Sequence, residues 1–253
     1  MDRALLLMAL LAVPAGPPLQ IPVPATPSGA QPARDDPDRL YADRAHLPSA
    51  RRAADLWEAR GASDTRDFEA AWKLARACYW LGGHVPDAER RREYERGIDA
   101  AKRAAKIEPR RPEGHFWMAA NMGAMAESFG LVAGLRYRGA VKRELETVLA
   151  IDPSYQQGSA DRALGRWYLR VPGLLGGSKR KSVEHLQRSL GYNPDSVSSH
   201  YFLAETYLEI DRGADARAEL RRVLDAPVDP DWAPEDREFK LKAARLLETL
   251  GVR

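Results

Sequence analysis

Cysteine is nearly absent. Cys78 stands alone among 253 residues, which excludes an internal disulfide and a cysteine-rich metal site. Cys78 itself falls in a helical apolar pattern and reads as a small core residue. Charge of one sign is lacking too. Lys and Arg total 39 and Asp and Glu total 36, a formal net charge of +3, although the sequence pI is near 9.0. The two signs are interspersed, as in Glu89-Arg90-Arg91-Arg92-Glu93, which is the pattern of solvated helix faces rather than a phosphate-binding stripe. Nucleic acid is therefore not an expected partner. Nor does any stretch sustain the alternation and β-branched content of a strand.

Catalytic signatures are also missing. There is no HExxH pair and no serine in a G-x-S-x-G elbow. His46, His84, His115, His185 and His200 lie far apart and show no ligand spacing, so no metal is expected. Gly173-Leu174-Leu175-Gly176-Gly177-Ser178-Lys179 has the look of a phosphate loop but fails the G-x-x-x-x-G-K-[ST] spacing and follows no strand. The expectation is a non-enzymatic protein without a cofactor.

The longest early apolar run covers residues 4–13 and is too short to span a bilayer. With Arg3 before it and Val13-Pro14-Ala15 after it, residues 1–15 read as a secretory signal. No cysteine follows that could accept a lipid. Eight prolines stand from Pro14 to Pro37, so residues 16–37 read as an extended linker. Residues 38–253 then form a helical repeat domain, periplasmic or secreted.

What is present is periodicity. Ile107-Glu108-Pro109, Ile151-Asp152-Pro153 and Tyr192-Asn193-Pro194 each close an amphipathic helix with a proline stop, and Asp225-Ala226-Pro227 is a weaker fourth. The prolines are 44, 41 and 33 residues apart. The last interval matches the tetratricopeptide period of about 34 residues. Leu203-Ala204 and Tyr207 fall at the expected places on its first helix, Asp211-Arg212-Gly213 at its turn, and Ala216, Leu220 and Val223 on its second. The same frame sets Ala71-Trp72-Lys73-Leu74-Ala75 and Cys78 against Gly97, Ala101 and Ala104, with residues 84–91 as an extended turn. Ala53 and Trp57 mark a degenerate earlier half-repeat.

A further unit pairs residues 114–128 with a helix over about 141–150, the glycine-bearing residues 129–139 being a long connection. The next has Leu164-Gly165 and Tyr168, a loop over 171–178, and Ser178 capping a helix with Ser182, Leu186 and Ser189. Residues 234–250 read as a terminal capping helix. The fold expected is all-α, a tetratricopeptide-like array of helical hairpins.

Three strings sharpen this. GHFWMAANMG, LGRWYLRVPGLLGGSKRKSVEHL and SHYFLAETYLE resemble the T component of periplasmic tripartite ATP-independent transporters (TRAP-T proteins) over roughly residues 41–250. EGHFW is also similar to the regulator-of-microtubule-dynamics proteins, a related tetratricopeptide group. The resemblance implies an all-helical array with an internal cleft or pore, association with a solute-binding protein, and self-association. The missing lipid-accepting cysteine departs from the TRAP-T pattern.

The central stretch, residues 114–128, interleaves Phe116, Trp117, Met118, Met122 and Met125 with Ala119, Ala120, Gly123, Ala124 and Ala126. The small residues are expected to let helix backbones approach closely. Asn121 and Glu127 are polar in an apolar run and must be hydrogen-bonded in the core or face a cavity. A stacked array presents its first helices on a concave face. Candidate binding residues there are Trp117, Asn121, Glu127, Arg166, Trp167, Tyr168, Tyr201 and Tyr207. The expected guest is a small, partly apolar ligand or a protein partner; the alternative is a general envelope scaffold for a peptide or helix.

Overall fold

The computed structural model describes residues 35–251. The signal and most of the linker read from the sequence lie outside the described residues. Among the described residues there are eleven α-helices and no strand: α1 (Pro37–Ala42), α2 (Leu47–Ser63), α3 (Phe68–His84), α4 (Asp87–Ile107), α5 (Pro112–Ser128), α6 (Gly130–Ile151), α7 (Tyr155–Arg170), α8 (Lys179–Tyr192), α9 (Val197–Leu208), α10 (Gly213–Asp225) and α11 (Ala233–Gly251). Helices α3/α4, α5/α6, α7/α8 and α9/α10 are four consecutive hairpins, each packed on the next. None of the described helices is long and apolar enough to cross a membrane.

The stops are where the prolines put them. Glu108, Asp152, Asn193 and Ala226 are the C-caps of α4, α6, α8 and α10, each followed by proline. Starts are capped by side chains. Asp67 Oδ1 accepts the Ala70 N–H at 2.8 Å, and Ser178 and Ser196 Oγ accept from Lys181 and Ser199 at 3.3 Å. Asp211, at φ +58, makes the α9–α10 turn.

Two connections differ from expectation. Residues 84–91 are not a turn: α3 runs to His84 and α4 starts at Asp87, so the extra length goes into a 21-residue helix. Residues 129–139 are not a loop either, since α6 starts at Gly130. Gly130 alone takes positive φ, +74, and breaks α5 from α6. Beyond it Leu131, Leu135, Arg138 and Val141 keep helical spacing, which outweighs a cost of about 1 kcal/mol for each helical glycine.

One apolar core runs from Tyr41 to Tyr168, and a second from Leu186 to Ala243. Buried hydroxyl pairs pin α8 to α9: Ser182–Thr206 and Ser189–Ser199, both at 2.9 Å. Asn121 braces α5 against α3. Its Nδ2 donates to the Ala75 carbonyl at 3.0 Å and to the Trp117 carbonyl at 2.8 Å, and it is fully buried. Gly97 of α4 makes room for it, because a Cβ there would stand 2.3 Å from Asn121 Oδ1.

Gly97→Ala therefore gains helix propensity but strikes a side chain held by two hydrogen bonds. Overpacking of this kind costs about 1–3 kcal/mol, so the variant is expected to unfold at lower denaturant than wild type in equilibrium melts. A midpoint equal to or above wild type would show that Asn121 is free to move.

Candidate functional site

The inner face of the array is not filled. A cavity of about 1330 Å³ opens along α3, α5, α6, α7 and α9 and is closed on its far side by α11 and residues 227–232. Its floor is α5. Ala119, Ala120, Gly123, Ala124 and Ala126 all line it, and a Cβ on Gly123 would meet nothing within 4 Å. These small residues were expected to draw a neighbouring helix close. Ala119 is buried in the core, but Ala120, Gly123, Ala124 and Ala126 are only partly covered and leave space on that face of α5.

Tyr79 lines the cavity and keeps 40 % of its surface open, while burial of its phenol pushes its pKa up to about 12.

Five of the sequence candidates stand on this wall: Trp117, Glu127, Arg166, Trp167 and Tyr201. Arg166 grips Glu127 with two parallel bonds, Nε–Oε1 at 2.7 Å and Nη2–Oε2 at 2.8 Å. Its Nη1 reaches Glu205 at 3.1 Å, which also takes Arg170 at 3.0 Å. This network holds the Arg166 charge against burial and raises its pKa. Trp167 Nε1 donates to the Arg138 carbonyl at 3.1 Å and ties α7 to α6.

The other three do not line the cavity. Asn121 is spent on the α3–α5 brace. Tyr168 is buried and stacks on His185, with ring centroids 5.1 Å apart. Tyr207 is buried in the second core beneath Arg212, 4.4 Å from its ring centroid.

The histidines act in pairs with carboxylates. His115 meets Glu144 through Nδ1 at 2.7 Å and the Pro109 carbonyl through Nε2 at 3.1 Å. His200 repeats this with Glu219 at 2.5 Å and the Pro194 carbonyl at 2.7 Å. Each imidazole thus ties a proline stop to both helices of the next hairpin. The Glu144 hydrogen bond raises the pKa of His115 despite partial burial. Among the described residues no three His, Cys, Asp or Glu side chains converge on a common point.

A feature that the sequence reading missed closes the array. Arg44, buried between α1 and α2, reaches Glu235 of α11 with Nη2–Oε2 at 2.5 Å and Nε–Oε1 at 3.0 Å, and donates to the Asp231 carbonyl at 2.7 Å. Trp80 Nε1 donates to the Arg44 carbonyl at 2.8 Å. His84 stacks on Trp80 at 3.6 Å and meets Glu238 of α11 at 2.6 Å. Helix α11 is thus a clasp on the first hairpin as well as a cap on the last. No local sequence signal could have joined residues 191 apart.

A family model described as regulator of microtubule dynamics protein 1-3 matches residues 37–175. The chain belongs to that family. The match spans α1 to α7, and so holds the cavity floor; the EGHFW string falls inside it. A tetratricopeptide model matches residues 181–244, the part carrying α8 to α11. A search of curated proteins finds no match. Among solved structures the chain is similar to TTC0263, a thermophilic tetratricopeptide protein of Thermus thermophilus. Identity is 23 %, coverage 83 % of this chain and 97 % of that one, and the TM-score 0.63. It is also similar to MamA of Desulfovibrio magneticus RS-1, at 17 % identity, 76 % and 95 % coverage and a TM-score of 0.50. These likenesses show a tetratricopeptide-type fold. The family that the matches show is the microtubule-regulator group.

Two outcomes follow. Glu235→Ala strands a buried guanidinium and is expected to lose about 3–5 kcal/mol, whereas Arg44→Met with Glu235→Leu recovers most of it. Denaturant melts of the single and double variants check this; a single variant as stable as wild type would deny the clasp. The second outcome concerns pH. Burial opposes the charge on His84, but Glu238 and the Trp80 carbonyl outweigh it and raise its pKa, while His84 lowers that of Glu238. The contact's stabilisation is thus full below the unfolded histidine value of about 6.5 and is lost as pH rises through the higher folded value. On the acid side it is lost as pH falls through the lowered Glu238 value. His84→Gln should therefore erase part of the stability that wild type loses as pH rises above the unfolded histidine value of about 6.5; an unchanged pH profile would contradict the assignment.

Proposed function

We propose that the protein is a non-enzymatic binding module whose concave cleft receives another protein. The observation that carries this is the open floor of α5 with an apolar lip beside it. Leu131 and Leu135 of α6 line the mouth and are exposed, at 72 % and 49 %, with Val132 next to them at 81 %. Exposed aliphatic side chains around a concavity are characteristic of protein–protein contact sites. A helix suits the cleft because its backbone groups are already paired and only side chains need accommodation. The tetratricopeptide-type fold supports the same reading, since stacked hairpins present extended concave binding surfaces.

The resemblance to TRAP-T proteins and the signal read in residues 1–15 support a narrower form of the proposal. In it the protein is exported and its partner is a periplasmic solute-binding protein. N-terminal sequencing of the natural protein tests the export: a start near residue 16 supports it, and a start at Met1 overturns it.

The docking reading is tested by photo-crosslinking from position 135 in the native cell, with Leu131→Asp as the control. We expect one dominant protein adduct that Leu131→Asp abolishes while helicity and melting temperature stay unchanged. Adducts of equal yield from both proteins would overturn the reading.

A further inference from the structure

Charges of both signs alternate along most of the chain, but two stretches at the mouth of the cavity carry one sign only. Residues 130–143, the N-terminal part of α6, hold Arg136, Arg138, Lys142 and Arg143 and no acidic residue. Residues 171–183, which lead from the end of α7 into α8, hold Lys179, Arg180 and Lys181 and again no acidic residue. Leu131, Leu135 and Arg138 of the first stretch line the same cavity as Val171, Pro172 and Leu175 of the second. We propose that the segment received by the cleft is an acidic amphipathic helix. Its apolar stripe would cover Leu131, Leu135 and Leu174, and its carboxylates would meet Arg136, Arg138 and Arg143. This rests on the docking reading above and names the chemistry of the partner.

The spacing on α6 fits such a guest. Leu131, Leu135, Arg138 and Lys142 stand four, three and four residues apart and so form one stripe. Val132, Arg136, Gly139 and Arg143 form the stripe beside it at the same spacing. Both stripes begin apolar and end basic. Leu174, on the loop after α7, is fully exposed. Some of the basic groups are already engaged: Lys142 meets Glu146, Arg180 meets Glu184 and Lys179 meets Glu209. Among the described residues no carboxylate pairs with Arg136, Arg138 or Arg143, and Arg136 lies over its neighbour Tyr137, 5.2 Å from the ring centroid. The mouth's own carboxylates, Glu127 and Glu205, are held by Arg166 and Arg170.

An exposed arginine is well solvated and needs no partner by itself. What selects the guest is the combination of uncompensated positive charge with bare leucines, in a chain whose Lys and Arg total 39 against 36 Asp and Glu. Such a surface favours a partner with one apolar and one acidic side. A helix about 10 Å across, rising about 1.5 Å per residue, occupies about 120 Å³ per residue, so the cavity of about 1330 Å³ holds the volume of about three turns. A flat bilayer would reach the rim of the concavity but not its wall.

The probe is a fluorescein-labelled helical peptide with leucine at alternate third and fourth positions, glutamate flanking that stripe and alanine elsewhere. Fluorescence anisotropy compares it with the same peptide carrying glutamine or lysine in place of glutamate. The whole protein should bind the glutamate peptide saturably and at least about tenfold more tightly than the glutamine peptide, with the lysine peptide weakest. The preference should shrink between about 0.01 M and about 1 M salt, as the screening length falls from about 30 Å to about 3 Å. Arg136→Glu with Arg143→Glu should abolish the preference while the glutamine peptide still binds, and Leu131→Asp should weaken both peptides. Both arginines are exposed, so the reversal should leave the melting temperature unchanged; should it prevent folding, Arg136→Gln with Arg143→Gln decides by the same readout. The inference is overturned if the glutamate peptide does not bind, if it binds no better than the glutamine peptide, or if the charge-altered protein keeps the preference. Saturable binding to phosphatidylserine vesicles with no binding of peptide overturns it in favour of a lipid surface. An adduct from position 135 without any glutamate preference sinks this inference alone, whereas the absence of both sinks the docking reading with it.

Discussion

Arg44 and Glu235 meet across 191 residues of chain, and the inner space depends on that meeting. A stack of helical hairpins is open at both ends, and each end leaves an apolar face for solvent. Here the two ends are made to share a partner. Helix α11 covers the α9/α10 hairpin with Phe239, Ala243 and Leu246, and its first turn locks onto the loop after α1. The guanidinium is held out of water and the carboxylate partly so, and the forked geometry sets their registry as well as their attraction. The closure turns a shallow curve into a walled cavity.

The repeated histidine bridges serve the same end within the wall. His115 and His200 each join a proline stop, a first helix and a second helix through one ring. Since both ring nitrogens face acceptors, the imidazole has a fixed orientation, and the hairpin has a fixed opening angle. Asn121 does this for α3 and α5 by another route, with Gly97 cleared to receive it. Rigid walls of this kind explain how a large void persists beside a core in which Ala70, Ala75, Ala77 and Cys78 are fully buried.

Much of this was legible in the sequence. The proline stops, the Ser178 cap and the Leu203-Ala204/Tyr207 frame are local signals, and the structure places them where periodicity does. Local signals failed where two physical meanings share one residue type. Glycines at 130, 134 and 139 read as a loop, but only Gly130 uses the backbone freedom that glycine offers. Alanines and Gly123 on α5 read as a close-packing face, yet small side chains equally mark the edge of an empty space. Asn121 was read as either hydrogen-bonded in the core or facing a cavity, and sequence spacing could not show that Ala75, on another helix, holds it in the core.

The claim on which this account turns is that the face of α5 looks into open space. Gly123→Leu, measured by equilibrium unfolding in denaturant, tests it most directly. If the space is there, leucine enters it without a clash and gains helix propensity, and stability rises by about 1 kcal/mol. If the array instead closes on that face, the same substitution overpacks the interior and stability falls by about 1–3 kcal/mol.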